Sequence, residues 1–249
     1  LISDVKVGAY LSGGLDSSLT TAIIADGKNT VDTYTIGFEE KGFNEFEYAR
    51  LVSQKYNTNH REFILDKDAY NEEWEKLIWY KDAPLGVPNE IPLSIMSTNL
   101  SKEITVVISG EGADELFGGY GRIYRLPFDY ANSSIKPNDF YSQFISHYEY
   151  VPRSIRDKYL LTTNSREYFD NQIKNEFKKH SNEENVFRFF HKYHITGLLQ
   201  RVDMSTMQTS VEARPPFLDH ELIEFVYKHV PYSLKLKWKS KAAKEKAAM

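Results

Sequence analysis

Two short runs of small and acidic residues carry side chains of the kinds that can bind phosphates and metal ions. The first is residues 12–18 (SGGLDSS), which stand between the apolar residues 5–11 and the helix-like residues 19–25. Where a strand is followed by a glycine turn and then a helix, the free backbone N–H groups at the start of the helix can bind an anion. The carboxylate of Asp16 is a candidate Mg²⁺ ligand beside the phosphates. The alternative explanation is a serine-capped helix after a glycine turn.

The second run is residues 109–120 (SGEGADELFGGY), and it follows the continuous apolar residues 104–108 (ITVVI). Such an apolar run is typical of a buried parallel strand. Ligands bind outside the carboxyl ends of parallel strands, so we expect both runs to face one crevice. Asp16 and Asp114 are then candidates to share Mg²⁺, and Glu111 is a candidate base. A glycine-rich loop that caps a helix is the alternative.

The segments around these runs predict a sheet that positions them. The predicted strands are residues 31–38 and 60–65, and the predicted helices are residues 45–56, 70–82 and 91–102. Strands that alternate with helices in this way predict an α/β fold with a doubly wound parallel sheet. From residue 121 the chain is aromatic-rich and lacks clear strands. We therefore expect a nucleotide-binding α/β core over residues 1–120 and a mainly helical part of the same domain over residues 121–249.

The composition excludes several classes of function. The 249 residues include no Cys, which excludes disulfides, thiolate metal sites and cysteine nucleophiles. A net charge of −4 gives no general case for a nucleic-acid partner. No apolar run approaches membrane-spanning length and no signal peptide is visible, so a cytoplasmic protein without a membrane partner is expected. A start at Leu1 and a lysine-rich end predict a piece of a longer protein, truncated at its C-terminal end.

Three motifs in order resemble those of one family. Residues 12–18 resemble the pyrophosphate loop of the PP-loop ATP pyrophosphatases. Residues 109–120 resemble the second signature of the synthetase domain in the asparagine synthetase family. Residues 203–207 (DMSTM) and 211–219 (VEARPPFLD) are similar to two further motif segments of that family, although Met204 replaces the usual basic residue. The resemblance spreads over most of the chain and identifies a C-terminal synthetase domain with an adenine nucleotide α-hydrolase-like sheet.

The resemblance implies a carbon–nitrogen ligase that uses ATP and Mg²⁺. In this family the synthetase domain converts a carboxylate to an acyl adenylate, and ammonia then gives the amide, AMP and pyrophosphate. The implied pyrophosphate contacts are Ser12, Gly13, Gly14, Asp16, Ser17 and Ser18. The implied adenine contacts are Leu11, Ile36 and Gly37, and Ser109 and Gly110 are implied to lie near the ribose and α-phosphate. The implied Mg²⁺ ligands are Asp16 and Asp114, the implied base is Glu111, and the implied catalytic lysine is Lys241, with Lys239 and Lys244 as alternatives.

Two departures from the family leave the substrates open. Residues 82–94 (DAPLGVPNEIPLS) lack the arginine-, serine- and threonine-containing pattern of true asparagine synthetases. The acceptor is therefore aspartate or another carboxylate, such as a sugar acid or a peptide, with Asn89 and Glu90 as specificity candidates or as a helix N-cap. The family's Cys-dependent glutaminase is absent from this sequence, so we expect it as a missing N-terminal half or as a separate subunit, with the use of free ammonia as the alternative. A non-catalytic nucleotide-binding subunit is the alternative from another class, and a homodimer is a candidate assembly.

Four other positions are weaker candidates for chemistry. Arg214 and Asp203 are expected to be structural, because an arginine among Pro and Phe commonly holds a loop by an ion pair. His191 and His194 fall on one helical face and can bind a metal. Their aromatic neighbours and the lack of an evident third ligand favour packing instead.

Overall fold

The computed structural model describes residues 3–27, 30–40, 42–133, 139–159 and 164–238. The chain divides into two compact units. The first comprises Leu1–Gly112 and Thr196–Asp219, and the second comprises Ala113–Ile195 and His220–Met249. The functional division predicted at residue 120 stays a prediction.

A five-stranded parallel sheet lies at the centre of the first unit. Its strands are β1 (Val7–Tyr10), β2 (Asp32–Phe38), β3 (Asn59–Leu65), β4 (Val106–Ile108) and β5 (Glu212–Arg214). They are ordered β3-β2-β1-β4-β5, with every neighbouring pair parallel. The α/β fold with a parallel sheet is thus confirmed. The strand order reverses between β1 and β4, and a crevice at their carboxyl ends is the usual ligand position in such sheets.

The helices account for most of the remaining described residues. In chain order they are α1 (Leu15–Asp26), α2 (Phe46–Tyr56), α3 (Lys67–Lys81), α4 (Glu90–Leu100), α5 (Ala113–Phe117), α6 (Gly121–Tyr124), α7 (Leu126–Asn132), α8 (Phe140–Tyr148), α9 (Arg153–Tyr159), α10 (Asn164–Glu176), α11 (Asn182–Phe189), α12 (Ile195–Met207), α13 (His220–His229) and α14 (Tyr232–Lys235). A π-helical turn, Phe190–His194, joins α11 to α12, and a 3₁₀ turn spans Pro216–Leu218. Within the described ranges, no helix is long and apolar enough to cross a membrane.

The sheet of the first unit buries apolar side chains on both faces. Successive strand residues point to opposite faces. Ile24 of α1 packs with Val7 and Ala9 on one face, whereas Met96 and Leu100 of α4 pack with Val107 on the other. The sheet is therefore doubly wound, as the sequence predicts.

Strand β5 is absent from the strands that the sequence predicts. Its three residues, EAR, include no β-branched or aromatic side chain. The strand forms because its backbone completes the edge of the sheet: Glu212 N donates to Thr105 O at 2.9 Å, and Ser109 N donates to Arg214 O at 3.0 Å. This pairing also fixes Ser109 directly after β4.

Aromatic side chains fill the core of the second unit. Tyr124, Phe144, Phe187 and Phe190 are almost completely buried and belong to one cluster. Tilted ring contacts join Tyr124 to Phe187 at 4.5 Å and to Phe190 at 5.1 Å between centroids. The described part of this unit contains helices and no strand, whereas β5 falls within residues 121–249, for which the sequence predicts no clear strand.

Candidate functional site

The loop between β1 and α1 holds the first run of predicted phosphate contacts. Leu11 N donates to Tyr34 O at 2.9 Å, and Leu11 O accepts from Thr35 Oγ1, so the start of the loop is anchored to β2. Gly13 has φ +81°, and a Cβ there would lie 2.6 Å from the backbone N of Ala49. Both the conformation and the close approach require glycine. The glycine therefore lets the loop turn tightly against α2 before α1 begins.

The serines of this loop differ in their hydrogen bonds. Ser12 Oγ and Ser17 Oγ lie 3.0 Å apart, and Ser17 Oγ donates to Gly14 O at 3.2 Å. These bonds shape the turn. Ser18 Oγ is buried and has no hydrogen-bond partner among the described residues. A buried hydroxyl without a partner costs free energy, and a ligand oxygen would satisfy it.

Asp16 lies in the first turn of α1, where the backbone N–H groups lack partners within the helix. Partial burial raises the pKa of its carboxyl, and a hydrogen bond with its own backbone N–H opposes that rise. A partly buried carboxylate gains from a neighbouring cation. Its oxygen chemistry fits Mg²⁺.

The segment after β4 approaches the start of α1. Ser109 is buried, and its Oγ accepts from Glu111 N at 3.4 Å. A Cβ on Gly110 would lie 3.3 Å from Ser17 N and 3.4 Å from Asp16 Cβ. The structure therefore brings the loops after β1 and β4 together, as the sheet order requires. The ligand contacts assigned to them stay predictions.

Ile36 and Gly37 lie within β2, opposite Phe63 and Ile64 of β3. A Cβ on Gly37 would lie 2.5 Å from Asn44 Oδ1, so this position is filled by the segment that precedes α2. Packing alone therefore explains the glycine here. The predicted adenine contacts of these residues remain predictions.

Glu111 pairs with an arginine that the sequence analysis does not identify. Arg201 Nη2 lies 3.2 Å and 3.3 Å from the two carboxylate oxygens of Glu111. The Arg201 side chain is 17% exposed, and its Nε is buried without a hydrogen-bond partner among the described residues. The sequence contains one signal for this arginine. Met204 replaces the basic residue that usually follows Asp203 in the family, and Arg201 is a basic residue two positions before Asp203.

A cleft of about 330 Å³ opens beside Glu111. It is lined by Glu111, Leu199, Gln200, Val202, Asp203, Ala213 and Pro215. All belong to the first unit. The proposed base thus reaches a small cleft beside the carboxyl end of β4, with a fixed cation at its carboxylate.

A buried ion pair holds the segment of residues 82–94. Glu90 is 1% exposed, pairs with Lys81 and accepts from Gly86 N at 2.7 Å. Asn89 precedes α4, but its side chain makes no capping hydrogen bond. Glu90 therefore organises the loop before α4, which gives it a structural explanation beside the specificity role.

Arg214 forms an ion pair with Glu212, 2.7 Å from Nε to Oε1, with both side chains partly exposed. This ion pair lies on the edge strand β5 and is not buried.

His191 and His194 contact different tyrosines: His191 Nδ1 lies 2.8 Å from Tyr227 Oη, and His194 Nδ1 lies 3.0 Å from Tyr148 Oη. No group of three metal-binding side chains occurs in the described part of the chain.

The remaining predicted residues belong to the second unit or lie outside the described residues. Asp114 is the second residue of α5 in the second unit. Lys241, together with Lys239 and Lys244, lies outside the described residues.

Lys235 is the half-buried lysine of the C-terminal segment, and its charge makes stability depend on pH. Its Nζ lies 4.6 Å from the ring centroid of Phe187 and has no hydrogen-bond partner among the described residues. Burial lowers the pKa of Lys235 to about 8. Between about pH 8 and about pH 10, Lys235 binds more protons in the unfolded chain than in the folded protein. The free-energy cost of burying its charge on folding therefore falls as the pH rises.

Lys235→Met is therefore expected to raise the melting temperature most below about pH 8, with the gain shrinking toward about pH 10. Thermal unfolding of wild type and variant across this range measures the difference. Lys237→Met, at an exposed position, is the matched control. A gain that stays constant with pH would contradict the assignment.

Comparison with known proteins agrees with the motifs and the sheet. The chain is 30% identical to glutamine-hydrolysing asparagine synthetase 1 of Bacillus subtilis, over 94% of this chain and 42% of that protein. It is 29% identical to asparagine synthetase 3 of the same organism, over 95% of this chain and 41% of that protein. The chain thus spans about two fifths of the length of these curated relatives. The sequence model of the asparagine synthase family matches residues 1–248, and the chain therefore belongs to the asparagine synthase family.

Proposed function

We propose that this chain is the synthetase part of a carbon–nitrogen ligase that adenylates a carboxylate and transfers ammonia to it. The observation that carries the proposal is the approach of Gly110 to Asp16 and Ser17. It joins two glycine-containing loops at the point where the strand order reverses, which is the usual nucleotide position in such sheets. Family membership supports the same chemistry.

The residues after β1 fit a pyrophosphate group. They offer the backbone N–H groups in the first turn of α1, a tight turn at Gly13 and the hydroxyl of Ser18, which has no partner among the described residues. Asp16 and Asp114 are the proposed Mg²⁺ ligands, because carboxylate oxygens suit that ion. Bound Mg²⁺ would neutralise charge on the phosphates. Lys241 is proposed to stabilise charge on the reacting phosphate.

Two bond exchanges make up the proposed reaction. A carboxylate oxygen of the acceptor attacks the α-phosphorus of ATP, and the bond to pyrophosphate breaks. Ammonia then attacks the acyl carbon, and AMP leaves with the electron pair of the C–O bond. The nitrogen loses a proton, which Glu111 accepts while Arg201 holds its carboxylate in place.

The source of ammonia and the acceptor belong to the same proposal. The Bacillus relatives are glutamine-hydrolysing by name, which supports a glutaminase domain or subunit as the ammonia donor. Aspartate is the first acceptor to test, because those relatives are named asparagine synthetases.

The deciding experiment incubates the protein with Mg-ATP, ammonium and a panel of carboxylates including aspartate, sugar acids and peptides. We expect amide, AMP and pyrophosphate in equal amounts with one class of acid. Formation of ADP and phosphate would contradict adenylation. ATP binding by calorimetry without turnover on any acid would favour the nucleotide-binding subunit instead.

A further inference from the structure

The chain after α5 folds back onto Asp114. Gly118 N and Gly119 N both donate to Asp114 O at 2.9 Å. Gly118 has φ +84°, a conformation that favours glycine. The turn therefore brings the backbone of Gly119 beside the side chain of Asp114, within the second unit.

Gly119 leaves room for the Asp114 carboxylate. A Cβ built on Gly119 would overlap Asp114 Oδ1 and would lie 3.0 Å from Asp114 Cβ. The carboxylate thus occupies the space that any other residue at position 119 would fill. Gly119 is not among the residues with positive φ, so its backbone conformation does not itself require glycine.

The next carboxylate along α5 is held on the other side of this turn. Glu115 is 1% exposed, and its Oε1 accepts from Tyr120 Oη at 2.6 Å. His194 Nε2 lies 3.6 Å from the same oxygen, and Tyr124 Oη donates to Glu115 O at 3.0 Å. These contacts fix the rotation of α5, because a buried charged side chain without its partners is costly. Fixing the rotation of α5 also fixes the direction in which the Asp114 side chain projects from the helix.

We propose that Gly119 and Tyr120 are positioning residues for the Asp114 carboxylate: Gly119 by lacking a side chain, and Tyr120 by anchoring Glu115. The inference rests on the proposed function, in which Asp114 binds a divalent cation. Neither residue touches the substrate in this assignment. Residues that orient a metal ligand typically change metal affinity about 10–100-fold when replaced.

The test is Gly119→Ala in the full chain, with Mn²⁺ binding measured by electron paramagnetic resonance in the presence of a non-hydrolysable ATP analogue. The added methyl displaces the carboxylate, and we expect Mn²⁺ affinity to fall about 10-fold or more. Gly121→Ala is the matched control, because a Cβ there meets only Trp238 at 3.8 Å. It is expected to bind Mn²⁺ as wild type does.

One further variant, Asp114→Asn, separates this inference from the proposed function on which it rests. Asp114→Asn should lose Mn²⁺ binding and leave the signal of the free ion undiminished, and wild-type binding by that variant would overturn Asp114 as a ligand. If Asp114→Asn loses binding but Gly119→Ala binds as wild type, Asp114 stays a ligand and the positioning role is wrong.

Tyr120→Phe keeps the ring and removes the hydroxyl bonded to Glu115. It tests the anchor if Gly119→Ala fails to fold. We expect weaker Mn²⁺ binding and a higher Mg²⁺ half-saturation, with the KM for ATP at saturating Mg²⁺ unchanged. Unchanged Mn²⁺ affinity in a folded Tyr120→Phe would overturn its role.

Discussion

Asp16→Asn is expected to lower pyrophosphate release by about 10³-fold or more while leaving the protein folded. Asn keeps the shape of the side chain but removes the negative charge that Mg²⁺ requires from its oxygen ligands. Asp16 lies in the first turn of α1 beside Ser17 and Gly110, so its loss changes the centre of the proposed nucleotide site. No other single change to the first loop removes a charge there.

The same substitution is expected to lower activity without lowering thermal stability. Burial raises the pKa of Asp16 in the folded protein, so near neutral pH its charged form is less favourable there than in the unfolded chain. Asn carries no such charge. The variant should therefore unfold at the same or a higher temperature than wild type, as expected for a residue kept for function.

Pyrophosphate release and thermal unfolding of the same samples check both halves of the prediction. Asp26→Asn, at the exposed C-terminal end of the same helix, is the control and should keep both activity and stability. Retained turnover in Asp16→Asn would remove Asp16 from the metal site. Lost turnover together with a lower melting temperature would indicate a structural role instead.

The parallel sheet and the meeting of its two loops could be predicted because their signals are local. Each predicted strand carries its own apolar run, and each loop carries its own glycines. Parallel topology then places the loop after β1 and the loop after β4 at one edge without knowledge of any contact. The approach of Gly110 to Ser17 is the direct result.

The parts that sequence reasoning missed depend on partners far away in the chain. Strand β5 forms only because Thr105 and Ser109 offer it hydrogen bonds. Arg201 is 90 residues from Glu111, and its position beside the motif at residues 203–207 does not reveal Glu111 as its partner. The contact of Glu115 with His194 likewise spans two distant helical segments. Such pairs follow from tertiary packing, which residue type and periodicity do not specify.

Glu111→Gln is expected to separate the two proposed steps. Adenylation needs no base at Glu111 in this assignment, so exchange of labelled pyrophosphate into ATP, measured with the acceptor acid and no ammonium, should stay within about 3-fold of wild type. Amide formation should fall about 10²–10⁴-fold, the range typical of removing a general base. The glutamine cannot accept the proton that the attacking nitrogen loses.

Arg201→Gln tests how the base is held. It leaves the Glu111 carboxylate without the 3.2 Å contact to Nη2, so we expect a smaller loss of amide formation than in Glu111→Gln, again with exchange retained. The double variant should lose little more than Glu111→Gln alone, because Arg201 acts through Glu111. Losses that multiply would mean that Arg201 contacts the reacting groups independently. Exchange that falls as far as amide formation in Glu111→Gln would place Glu111 in the first step rather than the second.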